Sequence, residues 1–280
     1  MILEENYVAS QISLLNMILE EKLLVGAPKA DVPEIKVKRG GAIFRCPSGT
    51  TLEDDCIRLS DDPFNVPPTQ DEEMDDQWLG VVLQSQGKGK NVLTCGHRYK
   101  HTNNGIGVCY TLYQGLDFQA PWRPCMGRPD SHDHEQFGLC QSGVSSMLTQ
   151  DDGLVIGAPG SIYWRGVVFR SNISEQLGAD KTWYKSPVPV ADGSAGSQEP
   201  PVDIYAYLGY SVTSGIFDKT LERYYVSGAP RSQLTGEVIF FTKSSPDGSL
   251  RYVETQKFKG QKDFAAFGYS LLAVDVNGDK

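Results

Sequence analysis

The richest coordination pattern in the chain is Asp275-Val276-Asn277-Gly278-Asp279. Oxygen donors at every second position around a glycine turn match the opening of a calcium loop, and calcium takes six to eight oxygens at once. Asp275, Asn277 and Asp279 supply only the first of these, so the loop reads as an incomplete Ca2+ site, filled in an intact protein and weak or absent here. Cys95-Gly96-His97 with Cys109, and His132-Asp133-His134-Glu135, raise the question of zinc. Structural zinc takes ligands paired two to four residues apart on both sides. That spacing is missing, so these residues read as disulfide and surface-loop positions. The cluster Asp71-Glu72-Glu73 with Asp75-Asp76 reads as a solvated loop, and Gly87-Lys88-Gly89-Lys90 as a hairpin turn too short to cradle phosphate. No Walker loop, GxSxG elbow or HExxH helix occurs. The chain is expected not to be an enzyme.

Six cysteines fall into three local couples, Cys46 with Cys56, Cys95 with Cys109, and Cys125 with Cys140. No CxxC is present, and an even count with short separations fits disulfide-closed loops in an oxidising compartment. Each such loop would constrain the unfolded chain by about 3 kcal/mol. Six buried thiols in a reducing compartment are the alternative. Asn172-Ile173-Ser174 is an N-glycosylation sequon and points to the first option. A net charge of −9 without a basic stripe argues against nucleic acid. No stretch approaches the ~20 apolar residues of a membrane span. The run Ile12–Leu19 follows Glu4 and Glu5 rather than basic residues, a poor signal peptide.

These residues must be positioned by short elements, because 29 glycines and 16 prolines punctuate the chain. Repetition organises it. Leu24-Val25-Gly26-Ala27-Pro28, Val155-Ile156-Gly157-Ala158-Pro159 and Val226-Ser227-Gly228-Ala229-Pro230 are copies of one element. Each leads to a strand-like run: Gly41-Ala42-Ile43-Phe44, Gly166-Val167-Val168-Phe169 and Gly236-Glu237-Val238-Ile239-Phe240. A second element precedes the first: Trp78-Leu79-Gly80-Val81-Val82, Phe137-Gly138, Leu208-Gly209-Tyr210-Ser211 and Phe267-Gly268-Tyr269-Ser270. Taking Gly80, Gly138, Gly209 and Gly268 as equivalent gives spacings of 58, 71 and 59 residues. Units of that length with several short strands suit the blades of a β-propeller. Helical solenoids need long 3.6-period faces, which are missing. The longest inter-unit segment, Ser171 to Tyr205, reads either as an exposed functional loop, with Trp183, Tyr184 and Tyr205 as ligand-contact candidates, or as a spacer.

The paired Phe-Gly and Gly-Ala-Pro elements resemble the repeats of the integrin α-subunit head, a family of seven-bladed propellers. The most specific stretch runs from Asp76-Gln77-Trp78-Leu79-Gly80 through Gln84-Ser85-Gln86-Gly87 to Thr94-Cys95-Gly96-His97-Arg98-Tyr99, and it is similar to the family's second blade. Gly107-Val108-Cys109-Tyr110 and Phe137-Gly138-Leu139-Cys140-Gln141 extend it. The resemblance implies an all-β, partial seven-bladed β-propeller over residues 23–280, about four blades plus the first strand of a fifth. Residues 1–22 are a non-matching N-terminal segment, and Val8–Leu24 reads as an amphipathic helix. The resemblance also implies the disulfides Cys46–Cys56, Cys95–Cys109 and Cys125–Cys140. In many family members the fourth blade holds calcium; here Ser214–Tyr225 lacks alternating Asp and Asn, which resembles the laminin-binding subclass. Ile162-Tyr163-Trp164-Arg165-Gly166 fits that subclass too. The implied function is a cell-surface adhesion and signalling receptor subunit. It would pair with an integrin β subunit and bind extracellular-matrix protein such as laminin. Signal peptide, transmembrane helix and tail would lie outside this sequence, so the membrane is reached only through missing C-terminal segments. A secreted hydrolase carrying the same repeats, or a solitary calcium-binding module, are the alternatives; the first needs a separate catalytic domain and the second lacks a partner interface.

Overall fold

The computed structural model describes residues 11–16, 21–47, 55–60, 63–130, 132–174, 183–188, 199–244 and 251–275. The described residues are all-β: antiparallel sheets joined by turns, three short 3-10 segments and one four-residue helical turn. The chain divides into two compact units, Met1–Arg128 with Gln141–Val144, and Pro129–Cys140 with Ser145–Lys280.

In the first unit, strands β1 (Gln11–Asn16), β2 (Glu21–Ala27), β3 (Ala42–Pro47) and β4 (Ile57–Arg58) form one four-stranded meander. A short pair, β5 (Glu72–Glu73) with β8 (Lys100–His101), flanks the next sheet. That sheet orders β6 (Val82–Ser85), β7 (Val92–Gly96), β9 (Val108–Leu112) and β10 (Phe118–Trp122) as neighbours. Leu24, Ile43, Leu83, Val92 and Leu112 pack together in its core.

The second unit repeats the plan twice. Strands β11 (Ser145–Leu148), β12 (Gly153–Ala158), β13 (Val167–Asn172) and β14 (Tyr184–Lys185) form one meander. Strands β15 (Ser211–Ile216), β16 (Arg223–Ala229), β17 (Glu237–Ser244) and β18 (Arg251–Lys259) form the other. A single parallel pairing, Lys185 with Arg251, links the two. Val155 and Val168 of the first meander pack with Tyr225, Ile239, Phe241 and Tyr252 of the second. Middle strands β7, β9 and β12 are buried along their whole length. Buried throughout, they carry mostly apolar runs, interrupted by Thr94 in β7 and Thr111 in β9, in place of period-2 alternation.

Two expectations are corrected. The helix over Val8–Leu24 does not form: Gln11–Asn16 is a strand, with Gln11 opposite Gly26 and Asn16 opposite Glu21. A ladder partner for β2 satisfies more backbone groups at that edge than an isolated helical turn would, and tertiary context overrides weak local propensity. The repeat alignment also shifts. Gly143, not Gly138, is the counterpart of Gly80, Gly209 and Gly268; all four have φ between +86° and +92°, and Gly80, Gly143 and Gly209 each precede the first strand of a meander. Gly138 sits in the turn after a 3-10 segment, its N–H donating to the Asp133 carbonyl. Spacings become 63, 66 and 59 residues, a more even period.

Candidate functional site

The Gly-Ala-Pro copies place Gly26, Gly157 and Gly228 on the second strands β2, β12 and β16. A Cβ at any of the three would collide with the carbonyl oxygen of Gly80, Gly209 or Gly268 respectively. That close approach fixes the chain just before each glycine, and there the surface display begins. The residue four positions before the glycine is Asp76, Tyr205 or Phe264, each left-handed with φ between +57° and +62°. Its N–H donates to a carbonyl in the preceding strand-connecting loop: Asp76 to Lys38 at 2.9 Å, Tyr205 to Tyr163 at 3.0 Å, Phe264 to Leu234 at 2.8 Å. One backbone device therefore presents three different side chains.

At the first position the presented group closes an ion pair. Arg39 Nε and Nη2 donate to Asp76 Oδ1 and Oδ2, both at 2.6 Å. Arg39's hydrogen bonds, with Arg98 also near, push the Asp76 carboxyl down to about 2. Three more of the acidic cluster are paired: Glu72 accepts from Tyr99 Oη and Arg123, Glu73 from Lys100, and Asp75 from the Lys38 N–H. Arg98 also lies over the Trp78 ring, 4.6 Å from its centroid. His97 packs edge-on against that ring; burial, with Arg98 adding, pushes it down to about 4 and keeps it neutral.

At the second position the presented group forms an aromatic ledge. Tyr205, 48% exposed, stacks on Trp164 at 6.1 Å and 21°, and Trp164 stacks on His134 at 4.8 Å and 19°. Tyr163 packs edge-on against His134. Ile162, Tyr163 and Trp164 are all left-handed, with φ from +51° to +54°. Such a conformation costs roughly 1–2 kcal/mol per residue. It turns both aromatic rings out of the loop, and the Ile162 N–H is held by the Gln136 carbonyl. Strain of this kind concentrates where side chains are held out for recognition.

The expected contact residues separate. Trp183 and Tyr184 are half-buried, Tyr184 on β14 itself; Trp183 packs edge-on against buried Phe169, and Tyr184 stacks over buried Tyr252. They hold the sheet together, whereas Tyr205 stands on the ledge. His134 and Trp164 were not among the expected contacts. The Tyr-Trp pair following a Gly-Ala-Pro copy was the signal available for them.

Asp275 is exposed; Asn277 and Asp279 lie outside the described residues. Among the described residues no group of three or more His, Cys, Asp or Glu side chains could hold a metal. The β15–β16 hairpin shows how one such turn closes by itself. Asp218 Oδ1 accepts from the Thr220 N–H and hydroxyl, and Oδ2 from Tyr224 Oη. Both carboxylate oxygens are engaged, with Ile216, Phe217 and Leu221 exposed around them, and the set does not fit a hard cation. Cys46 is bonded to Cys56 and Cys95 to Cys109, with Cα atoms 4.2 and 4.0 Å apart. Cys125 and Cys140 are disulfide-bonded too, and no cysteine among the described residues is free. At the sequon, Asn172 Oδ1 accepts from the Ser174 N–H and hydroxyl at the end of β13.

A glycine frame repeated through four-stranded meanders defines a repeat-built all-β protein. No family model matches the chain. It is 36% identical over 277 residues to integrin alpha-7 of Rattus norvegicus, an alignment covering 92% of this chain and 23% of that protein. It is 35% identical to integrin alpha-6 of Gallus gallus and 32% identical to integrin alpha-6 of Homo sapiens, each over 92% of this chain. The chain spans about a quarter of the length of these relatives. It belongs to the integrin α family.

Proposed function

We propose that the chain is part of the extracellular head of an adhesion receptor subunit at the cell surface. Each meander is one blade of a partial seven-bladed propeller, about four blades with the first strand of a fifth, and β1 brings part of the segment before residue 23, expected not to match, into the first blade. The subunit pairs with an integrin β subunit and binds an extracellular-matrix protein of the laminin class without covalent chemistry. The observation that carries this reading is the His134–Trp164–Tyr205 ledge, an aromatic stack with Tyr205 exposed and Trp164 and His134 half-buried, held on strained backbone in a family of receptors. Trp and Tyr are the residues most enriched in interface hot spots, where truncation costs about 2 kcal/mol or more. The likeness to integrin alpha-6 and alpha-7 and the self-closed Asp218 hairpin favour the laminin-binding subclass. Asn172 is its N-glycan site, and calcium belongs to the Asp275, Asn277 and Asp279 loop.

The test is cell adhesion by the complete heterodimer. Trp164→Ala with Tyr205→Ala should lower adhesion to laminin at least tenfold at unchanged surface expression. Trp183→Phe, which preserves sheet packing, should leave adhesion unchanged. Normal adhesion by the ledge variant would refute the assignment of the ledge.

A further inference from the structure

The second unit contains a cleft of about 330 Å³ between the segment entering β15 and strands β17 and β18, its Asp203 two residues before the ledge's Tyr205. Its base is Glu237, 2% exposed. Glu237 is the first residue after the glycine that opens a third strand, a position filled by Ala42, Val108 and Val167 in the other meanders. A carboxylate in an apolar slot costs folding energy unless it is fully paired. Here it is only half paired. Oε2 accepts from the Ser232 hydroxyl, while Oε1 has Lys259 Nζ at 3.9 Å, beyond hydrogen-bond range.

The rest of the lining shares this character. Asp203 Oδ2 accepts from Gln233 Nε2 at 2.9 Å. Lys257 Nζ donates to the Pro201 carbonyl, and the Pro200 and Pro201 rings supply an apolar wall. Two carboxylates face two ammonium groups, so the cleft carries no net charge. It would reject an isolated anion or cation, because either meets a like charge as soon as it meets its opposite. A neutral polyhydroxylated ligand has no such conflict: its hydroxyls donate to carboxylates and accept from ammonium and amide groups, and its C–H faces lie against proline rings. A volume of 330 Å³ is at the lower end of the range for small-ligand sites.

We propose that this cleft is a binding site for a neutral sugar unit of a glycan, with Glu237, Asp203 and Lys259 as the recognition groups. The test is saturation-transfer difference NMR on the full chain with methyl α-mannoside, methyl β-galactoside and N-acetylglucosamine, and N-acetylneuraminic acid as the charged comparison. At least one neutral sugar should receive saturation, and Asp203→Ala should weaken its binding at least tenfold. Glu237→Val, which restores the residue type of the other meanders, should abolish binding while raising Tm. Transfer that appears only after enzymatic removal of N-glycans would identify the chain's own glycan as the occupant; transfer before removal points to a glycan on another molecule. No transfer to any neutral sugar would overturn the proposal, as would transfer to the charged sugar alone. Binding that survives Asp203→Ala would do the same, and that exposed-site variant decides the matter should Glu237→Val not fold.

Discussion

Replacing Gly143 with alanine tests the revised repeat alignment directly. Gly143 has φ +92°, and a Cβ there would lie 2.8 Å from Cys95 Cβ and 2.9 Å from Cys109 Sγ. Neither atom yields readily, because the two cysteines are bonded to each other and completely buried. The left-handed backbone costs an alanine roughly 1–2 kcal/mol. Crowding in a packed core adds about 1–3 kcal/mol. Together Gly143→Ala should destabilise by about 2–5 kcal/mol, a large share of the 5–15 kcal/mol that holds a typical domain. Gly138→Ala is the control. It is buried in a turn but lies outside the left-handed set, so its replacement carries no backbone strain and should cost clearly less than Gly143→Ala. Urea denaturation of the purified chain, followed by far-ultraviolet circular dichroism, reads both variants. Equal midpoints for the two, or a larger loss for Gly138→Ala, would refute the argument that Gly143 is the repeat glycine.

Two further outcomes follow from the electrostatics. Asp76 has its carboxyl held at about 2 by Arg39, below its ordinary 3.8, so its contribution is full above the unfolded value and vanishes as pH falls from about 4 to about 2. Its side chain is 32% exposed, so solvent screening limits the contribution to about 1 kcal/mol or less; Asp76→Asn should remove that acid dependence in pH-resolved melts, and an unchanged slope would count against the ion pair. In a chain extended past residue 280, Asp275→Ala should abolish a calcium-binding isotherm measured by calorimetry, whereas Asp218→Ala should leave it intact. Loss of calcium on Asp218→Ala alone would contradict the self-closed hairpin.

The strand frame was legible because its requirements fall on residue types with few substitutes. Gly26, Gly157 and Gly228 must lack a Cβ to approach the next repeat's glycine, so the same letters recur and the period emerges by subtraction. The third repeat was misaligned for a related reason. Phe137-Gly138 has the right letters, but the turn geometry chose Gly143, where Ser142 takes the place of the leucine or phenylalanine seen in Leu79, Leu208 and Phe267. Hydrophobicity at that slot was a guide only while the neighbour was apolar. Strand β1 was missed because its pairing to β2 is a long-range fact that local periodicity does not encode. Trp183 and Tyr184 lie in the segment Ser171 to Tyr205, whose length suggested a loop, whereas the pairing of β14 to β13 and the rings of Phe169 and Tyr252 set them against the sheet.

The display position explains why the frame could be read and the ledge could not. Asp76, Tyr205 and Phe264 share a backbone hydrogen bond and a left-handed φ, and neither feature depends on side-chain identity. Selection on the frame therefore leaves this position free to vary, and chemistry is decided by what the preceding loop sets beside it. Arg39 beside Asp76 neutralises the presented charge, so that position is closed on itself. Trp164 beside Tyr205 adds a second ring, already backed by His134, and leaves Tyr205 nearly half exposed. An ion pair that satisfies itself gives a partner little to gain on docking, because its charges would have to be desolvated again. A stacked ring with an open face loses only water. On the proposed function the second unit's ledge is thus the better recognition element, although its backbone is the same device that carries an ion pair in the first.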